Sequence, residues 1–189
     1  RRSGRTEIKT LLPLKLLISA ESGRRYIAGY CAESKNYAFI RIDYILSVRA
    51  DAEVSSEEFK STALGLEEIR KHCWGVTLRG KRTEHVEFTV YVGKNERYII
   101  NRLNREKRIG TVEKLDGTHY RFKADVYDTN ELTPWIRTFI GRITAFDFSN
   151  RSIENRIKKD IMKMAENYGI LSDFRPDMTR EDVGEDDIQ

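Results

Sequence analysis

The stretch that most constrains this chain is Pro13–Val48, PLKLLISAESGRRYIAGYCAESKNYAFIRIDYILSV, in which apolar and aromatic runs are cut at short intervals by turn-forming residues. Leu14–Ser19 reads as one strand, Glu21-Ser22-Gly23 breaks it, and Arg25–Cys31 reads as the next. Glu33-Ser34-Lys35-Asn36 then leads into a third strand, Tyr37–Val48. Branched and aromatic side chains suit a pleated, half-buried surface, while Gly, Ser and Asn supply the turns. Connections this short join antiparallel neighbours, so the run predicts a meander that would close as a small barrel.

Before it, Arg5–Leu12 alternates partly and reads as a further strand. After it the composition turns helical. Ser55 is placed to cap, Glu58 to reach back, and Phe59, Ala63, Leu66 and Ile69 recur at helical spacing, which predicts an amphipathic helix over 57–72. A second pattern begins at Glu84. His85–Val92 alternates as a half-buried strand, and Asn95–Arg105 follows as a helix. Arg108–Leu115 and Thr118–Tyr127 form a hairpin across Asp116-Gly117. Asn130–Ile140 reads as a helix capped by Thr129 or Asn130 and ended by Gly141, Ile143–Phe148 as a closing strand, and Asn150 as the start of a long helix reaching Tyr168. The order strand, helix, strand, strand, helix, strand is that of a split βαβ, ferredoxin-like unit.

The order PLKLL, RRYIAGY, IRIDYI resembles the WYL domain, an Sm/SH3-like small barrel of bacterial transcriptional regulators. The family's Trp-Tyr-Leu strand stands here as Arg25-Tyr26-Ile27, and its Phe-Arg-Leu-Asp-Arg-Ile strand as Ile40-Arg41-Ile42-Asp43-Tyr44-Ile45. Tyr26, Arg41 and Asp43 match; Arg25 replaces the Trp, Tyr44 an Arg, and Ala38 another Arg. The run TVEKLDGTHYRFKADVYDTNELTPWIRTFIGRITAFDF resembles the WCX extension that follows many WYL domains. The expected fold class is therefore α+β: a WYL barrel over 1–54, a connector helix and linker over 55–82, a ferredoxin-like WCX domain over 83–169 and an acidic tail over 170–189. Arg1-Arg2-Ser3-Gly4-Arg5 reads as the end of a first barrel strand, so a natural portion is expected before Arg1, where family members carry a winged helix-turn-helix.

The resemblance implies a basic pocket that senses nucleic acid or a nucleotide. It makes Tyr26 and Arg41 ligand-binding candidates, with Ser3 from the preceding turn and Arg25 (beside Arg24) supplying charge from the neighbouring strand. Read from the residues alone, Tyr26 either stacks on a base or packs as core. Arg41 either forks a phosphate or base edge or pairs with Asp43, two residues along the same strand face. A second basic set, Arg97, Arg102, Arg105, Lys107 and Arg108, is either a solvated helix face or another nucleic-acid contact.

Charge agrees with an anionic partner without requiring one. The formal net charge is only +4, but Arg1, Arg2, Arg5, Lys9, Lys15, Arg24 and Arg25 crowd the front, and Glu181, Asp182, Glu185, Asp186 and Asp187 the end. A solubilising surface is the alternative. Cys31 and Cys73 are too few for a disulfide framework and read as thiols of a reduced, cytoplasmic protein. No apolar run approaches the roughly 20 residues that span a bilayer.

Catalysis has no carrier. His72, His85 and His119 lie in separate elements without a second ligand at metal spacing, there is no Gly-rich phosphate loop, and Asp125 and Asp128 flank a helix cap. The expected function is non-enzymatic, without metal or cofactor: a ligand-sensing effector region binding single-stranded DNA, RNA or a nucleotide, in a homodimer. The alternative is a scaffold or protein-interaction module whose pocket is degenerate.

Overall fold

The computed structural model describes residues 6–78 and 82–170, an α+β chain with two antiparallel sheets and four α-helices among those residues. Three strands, β1 (Leu12–Ile18), β2 (Arg25–Cys31) and β3 (Asn36–Arg41), form the first sheet in that order. Gly23, at φ 66°, and the Ser19 N–H to Arg24 C=O bond of 2.9 Å tighten the first turn; Lys35, at φ 50°, sits in the second.

The sheet stays open. Its edges, β1 and β3, pair with no further described strand, and no sheet among the described residues closes into a barrel. The expected barrel is corrected accordingly. Residues 6–11 carry no regular structure, so the strand expected there is absent as far as it is described. The third strand ends at Arg41, and Ile42–Tyr44 winds into a 3-10 turn closed by the Ile45 N–H to Ile42 C=O bond of 3.1 Å. Ile45, Leu46 and Val48 have the composition of a strand, but extended backbone gains nothing without a ladder to receive its N–H and C=O groups.

One face of the sheet is covered by α1 (Ser56–Arg70). Ser55 Oγ accepts the Glu58 N–H at 3.1 Å and caps this helix. Tyr37 donates its hydroxyl to the Thr62 carbonyl at 2.8 Å, and Lys15 pairs with Glu67. The contact is close enough to require glycine: a Cβ on Gly65 would stand 2.1 Å from the Tyr37 oxygen. Cross-strand partners share a face. Lys15, Ala28 and Phe39 thus lie under the helix side with Tyr30 and Tyr37, and Leu16, Ile18, Ile27 and Ile40 lie on the opposite face, away from α1. There Leu16 is 72% and Ile18 71% exposed.

The second sheet contains β4 (Glu84–Tyr91), β5 (Thr111–Lys114), β6 (His119–Val126) and β7 (Ile143–Phe148) in the order β5-β6-β4-β7, all neighbours antiparallel. A helix α2 (Arg97–Glu106) connects β4 to β5. The helix expected over 130–140 is broken into a 3-10 turn (Thr129–Glu131), α3 (Thr133–Arg137) and a second 3-10 turn (Ile140–Arg142). Pro134, in the first turn of α3, cannot donate to a helix arriving from Thr129, so the helix starts anew. The cap is Asp128, whose carboxylate accepts the Asn130 N–H at 3.0 Å, rather than Thr129 or Asn130. Last comes α4 (Arg151–Asn167), capped by Asn150.

The alternation read from the sequence builds the core. Val86, Phe88 and Val90 of β4 and Phe122, Ala124 and Val126 of β6 turn to one face. Ile99 and Leu103 from α2, Leu132, Ile136 and Phe139 around α3, and Ile153 and Ile157 from α4 cover it. Trp74, just beyond α1, is buried in the same cluster, 4.9 Å from the Trp135 ring.

Candidate functional site

Antiparallel register sets Tyr26 directly opposite Arg41, at the end of the α1-facing side of the first sheet, beyond the part that the helix covers. The two foremost candidates are therefore neighbours. Arg25 is not with them: it opposes Ile18 and belongs to the face away from α1. Ser3 lies outside the described residues.

Arg41 is engaged within its own turn. Nε donates to Asp43 Oδ1 at 2.9 Å, Nη2 donates to Asp43 Oδ2, and Nη1 donates to the Tyr44 hydroxyl at 2.9 Å. Its guanidinium carbon also lies 4.1 Å from the Tyr44 ring centre. The expected sharing of a strand face by Arg41 and Asp43 is replaced by a turn that brings them together: the strand stops at Arg41, and the ion pair closes across the 3-10 turn. Tyr44 is thus itself a partner of Arg41.

The hydrogen bonds from Arg41 hold the Asp43 carboxyl below its usual range, and those bonds raise the guanidinium pKa in turn. Arg24 is close enough to add to the effect on Asp43. Arg24 and Arg25 are both exposed and form no ion pair with a described residue. Chemically, the site offers a half-buried aromatic ring beside a preoriented guanidinium that an internal carboxylate already occupies.

The second basic set does not converge. Arg102 donates to Glu106 at 3.0 Å and to Thr138 Oγ1 at 2.6 Å, with its guanidinium 4.5 Å from the Phe139 ring centre. Arg105 turns to Glu106, Lys107 to the Gly110 carbonyl, and Arg108 to the Trp74 carbonyl at 3.0 Å. Arg97 is exposed and makes neither an ion pair nor a side-chain hydrogen bond to a described residue. Arg102 and Arg108 fasten α2 and its exit to the segments around Thr138 and Trp74.

The histidines are also satisfied locally. His85 Nδ1 lies 2.9 Å from Asp125 Oδ1, His119 Nδ1 2.9 Å from Asp116 Oδ2, and His72 Nδ1 3.0 Å from the Asp125 carbonyl. Among the described residues no three His, Cys, Asp or Glu side chains are grouped to hold a metal, and no helix is long and apolar enough to cross a membrane.

Sequence reasoning missed a second place where aromatic and cationic groups meet, at the end of β4. Tyr91 lies on the face of its sheet opposite Val86, Phe88 and Val90, and Tyr98 of α2 lies 3.4 Å from Arg142 Nη2 through its hydroxyl. The signal was present: Tyr91 falls on the polar side of the β4 alternation, where an aromatic ring stands out of pattern.

No family model matches the chain, and no curated protein matches it.

Proposed function

We propose that this chain is the ligand-sensing effector region of a WYL-type bacterial transcriptional regulator, binding single-stranded nucleic acid or a nucleotide to control DNA binding. The observation that carries this reading is the juxtaposition of Tyr26 and Arg41 across β2 and β3. A ring and a guanidinium so placed can take a base by stacking and a phosphate by a charge-assisted fork. The second sheet supports the same reading, since β5-β6-β4-β7 is the order that a ferredoxin-like WCX unit would require.

Asp43 makes the site competitive. An arriving phosphate must exchange with a carboxylate that already fills the Arg41 fork, and Arg24, near Asp43, supplies charge to recruit it. A ligand that breaks the Arg41–Asp43–Tyr44 turn would alter the start of the segment leading to α1, and so bias how the two sheets are held.

The test is binding of labelled single-stranded oligonucleotides through a salt series. Binding should weaken as salt rises, and Arg41→Ala should lower affinity about tenfold or more, as loss of a charge-assisted contact does. Arg25→Ala, on the other face, should cost less. Affinity equal to wild type in both Tyr26→Ala and Arg41→Ala would sink the proposal.

A protein-interaction scaffold is the second reading, favoured by the exposure of Leu16 and Ile18 on the face away from α1. Partner capture that survives the Tyr26→Ala, Arg41→Ala double substitution would favour it.

A further inference from the structure

Beyond the end of β4, the turn Gly93–Glu96 and the segment Thr138–Arg142 border an open cleft of about 590 Å³ lined by Tyr91, Glu96, Thr138, Phe139, Gly141 and Arg142. That volume is in the range of small-molecule sites. Tyr91 is 44% exposed, and neighbouring Tyr98 59%. The Tyr91 ring is oriented before any ligand arrives, because His119, its direct cross-strand partner, meets it edge-on at 5.7 Å.

The polar groups of the cleft are fixed. Both Nη groups of Arg142 donate to the Glu96 carboxylate, which also accepts the Gly93 N–H at 2.9 Å. Those bonds, Arg142 first, hold Glu96 below the usual carboxylate range, so it stays charged and its charge is cancelled within the cleft. Arg102 closes the far side over Phe139 and Thr138. On the adjoining chain, Lys94 and Arg97 are exposed and form no ion pair with a described residue. Lys94 belongs to the turn that borders the cleft and Arg97 directly follows Glu96 of its lining, so surplus positive charge is carried at its margin.

A plain anion would leave the tyrosines unused, and an apolar ligand would leave the cations unused. A flat heterocycle carrying a phosphate uses both. We propose that this cleft is a second site for a nucleoside phosphate, free or as one residue of a single strand, with the base against Tyr91 and the phosphate toward Lys94 and Arg97. The proposal rests on the reading that the chain binds nucleotides and assigns them a site distinct from Tyr26 and Arg41.

The experiment uses the full chain and two probes whose fluorescence falls on stacking: 2-aminopurine riboside monophosphate, and a short oligothymidylate carrying one 2-aminopurine. Quenching by the first identifies a free nucleotide as sufficient; quenching by the second alone identifies a strand. Tyr91→Ala should weaken binding at least about fivefold, while Tyr91→Phe retains it. The exposed pair Lys94→Ala, Arg97→Ala should weaken it and flatten its salt dependence without shifting the denaturation midpoint. Tyr26→Ala should remove only the first site's share of the quench and leave a remainder that Tyr91→Ala abolishes. If quenching is unaffected by the Tyr91→Ala and Lys94→Ala, Arg97→Ala variants but lost in Tyr26→Ala or Arg41→Ala, the cleft is overturned and the first site stands. If neither probe is quenched by the wild type, the cleft and the nucleotide-binding reading fail together.

Discussion

Two carboxylates show what single residues do in this molecule. Asp116 accepts the backbone N–H groups of Thr118 at 2.7 Å and His119 at 2.8 Å, and so builds the turn between β5 and β6. Those bonds, Thr118 first, pull its pKa from 3.8 to about 2. A carboxyl depressed on folding stabilises the fold fully above its ordinary value and loses that contribution as pH falls through its folded value. Urea midpoints measured between about pH 5 and about pH 2 should therefore fall more steeply in the wild type than in Asp116→Asn. Glu154 is different in kind. Its side chain is only 5% exposed, and burial, the largest influence, works to raise its pKa. Lys158, the Phe148 N–H and Arg151 together outweigh burial and keep it charged. Glu154→Gln should destabilise by about 1–3 kcal/mol in equilibrium denaturation, since a buried charged acceptor is replaced by a neutral one.

At the scale of elements, α1 on the first sheet offers the sharpest test. Alanine in place of a mid-helix glycine ordinarily stabilises by about 1 kcal/mol. Here Gly65→Ala should instead destabilise by about 1–2 kcal/mol, because it displaces the Tyr37 hydroxyl from Thr62. In a Tyr37→Phe background the same change should be near neutral or stabilising, and a double-mutant cycle measures the coupling. Elements were legible where local pattern and pairing agreed. Arg25–Cys31 and Ile143–Phe148 are strands over the expected residues, because branched and aromatic runs bounded by turn formers also found partners on a ladder. Ile45, Leu46 and Val48 misled, because strand propensity says nothing about whether a neighbour exists. Pro134 divided a helix whose apolar stripe is otherwise continuous. The site was half legible for a similar reason. Period-two alternation already separates Arg25 from Tyr26, but the pairing of Tyr26 with Arg41 depends on register, which turn geometry and burial decide only in the fold.

The molecule as a whole is unevenly built. Its main buried cluster runs from Trp74 to Ile157, while the buried apolar residues of the first sheet and α1 are Ala28, Cys31 and Leu66. Backbone amides of β1–β3 should exchange with deuterium well before those of β4 and β6, since little apolar area opposes their opening. Exchange at equal rates in the two sheets would contradict that picture. Between them, the exit of α1 is fastened: Tyr127 N–H bonds the His72 carbonyl at 3.0 Å, Glu131 accepts the Gly75 and Val76 N–H groups, and Arg108 holds the Trp74 carbonyl. The helix is thereby a strut with one end clamped in the firm core and its flank resting on the softer sheet. Its 15 residues make a lever arm of about 22 Å, so a sideways displacement of about 1 Å at the free end is a swing of only about 3° at the clamp. Whatever moves the first sheet is felt by the second as a small torque on Trp74.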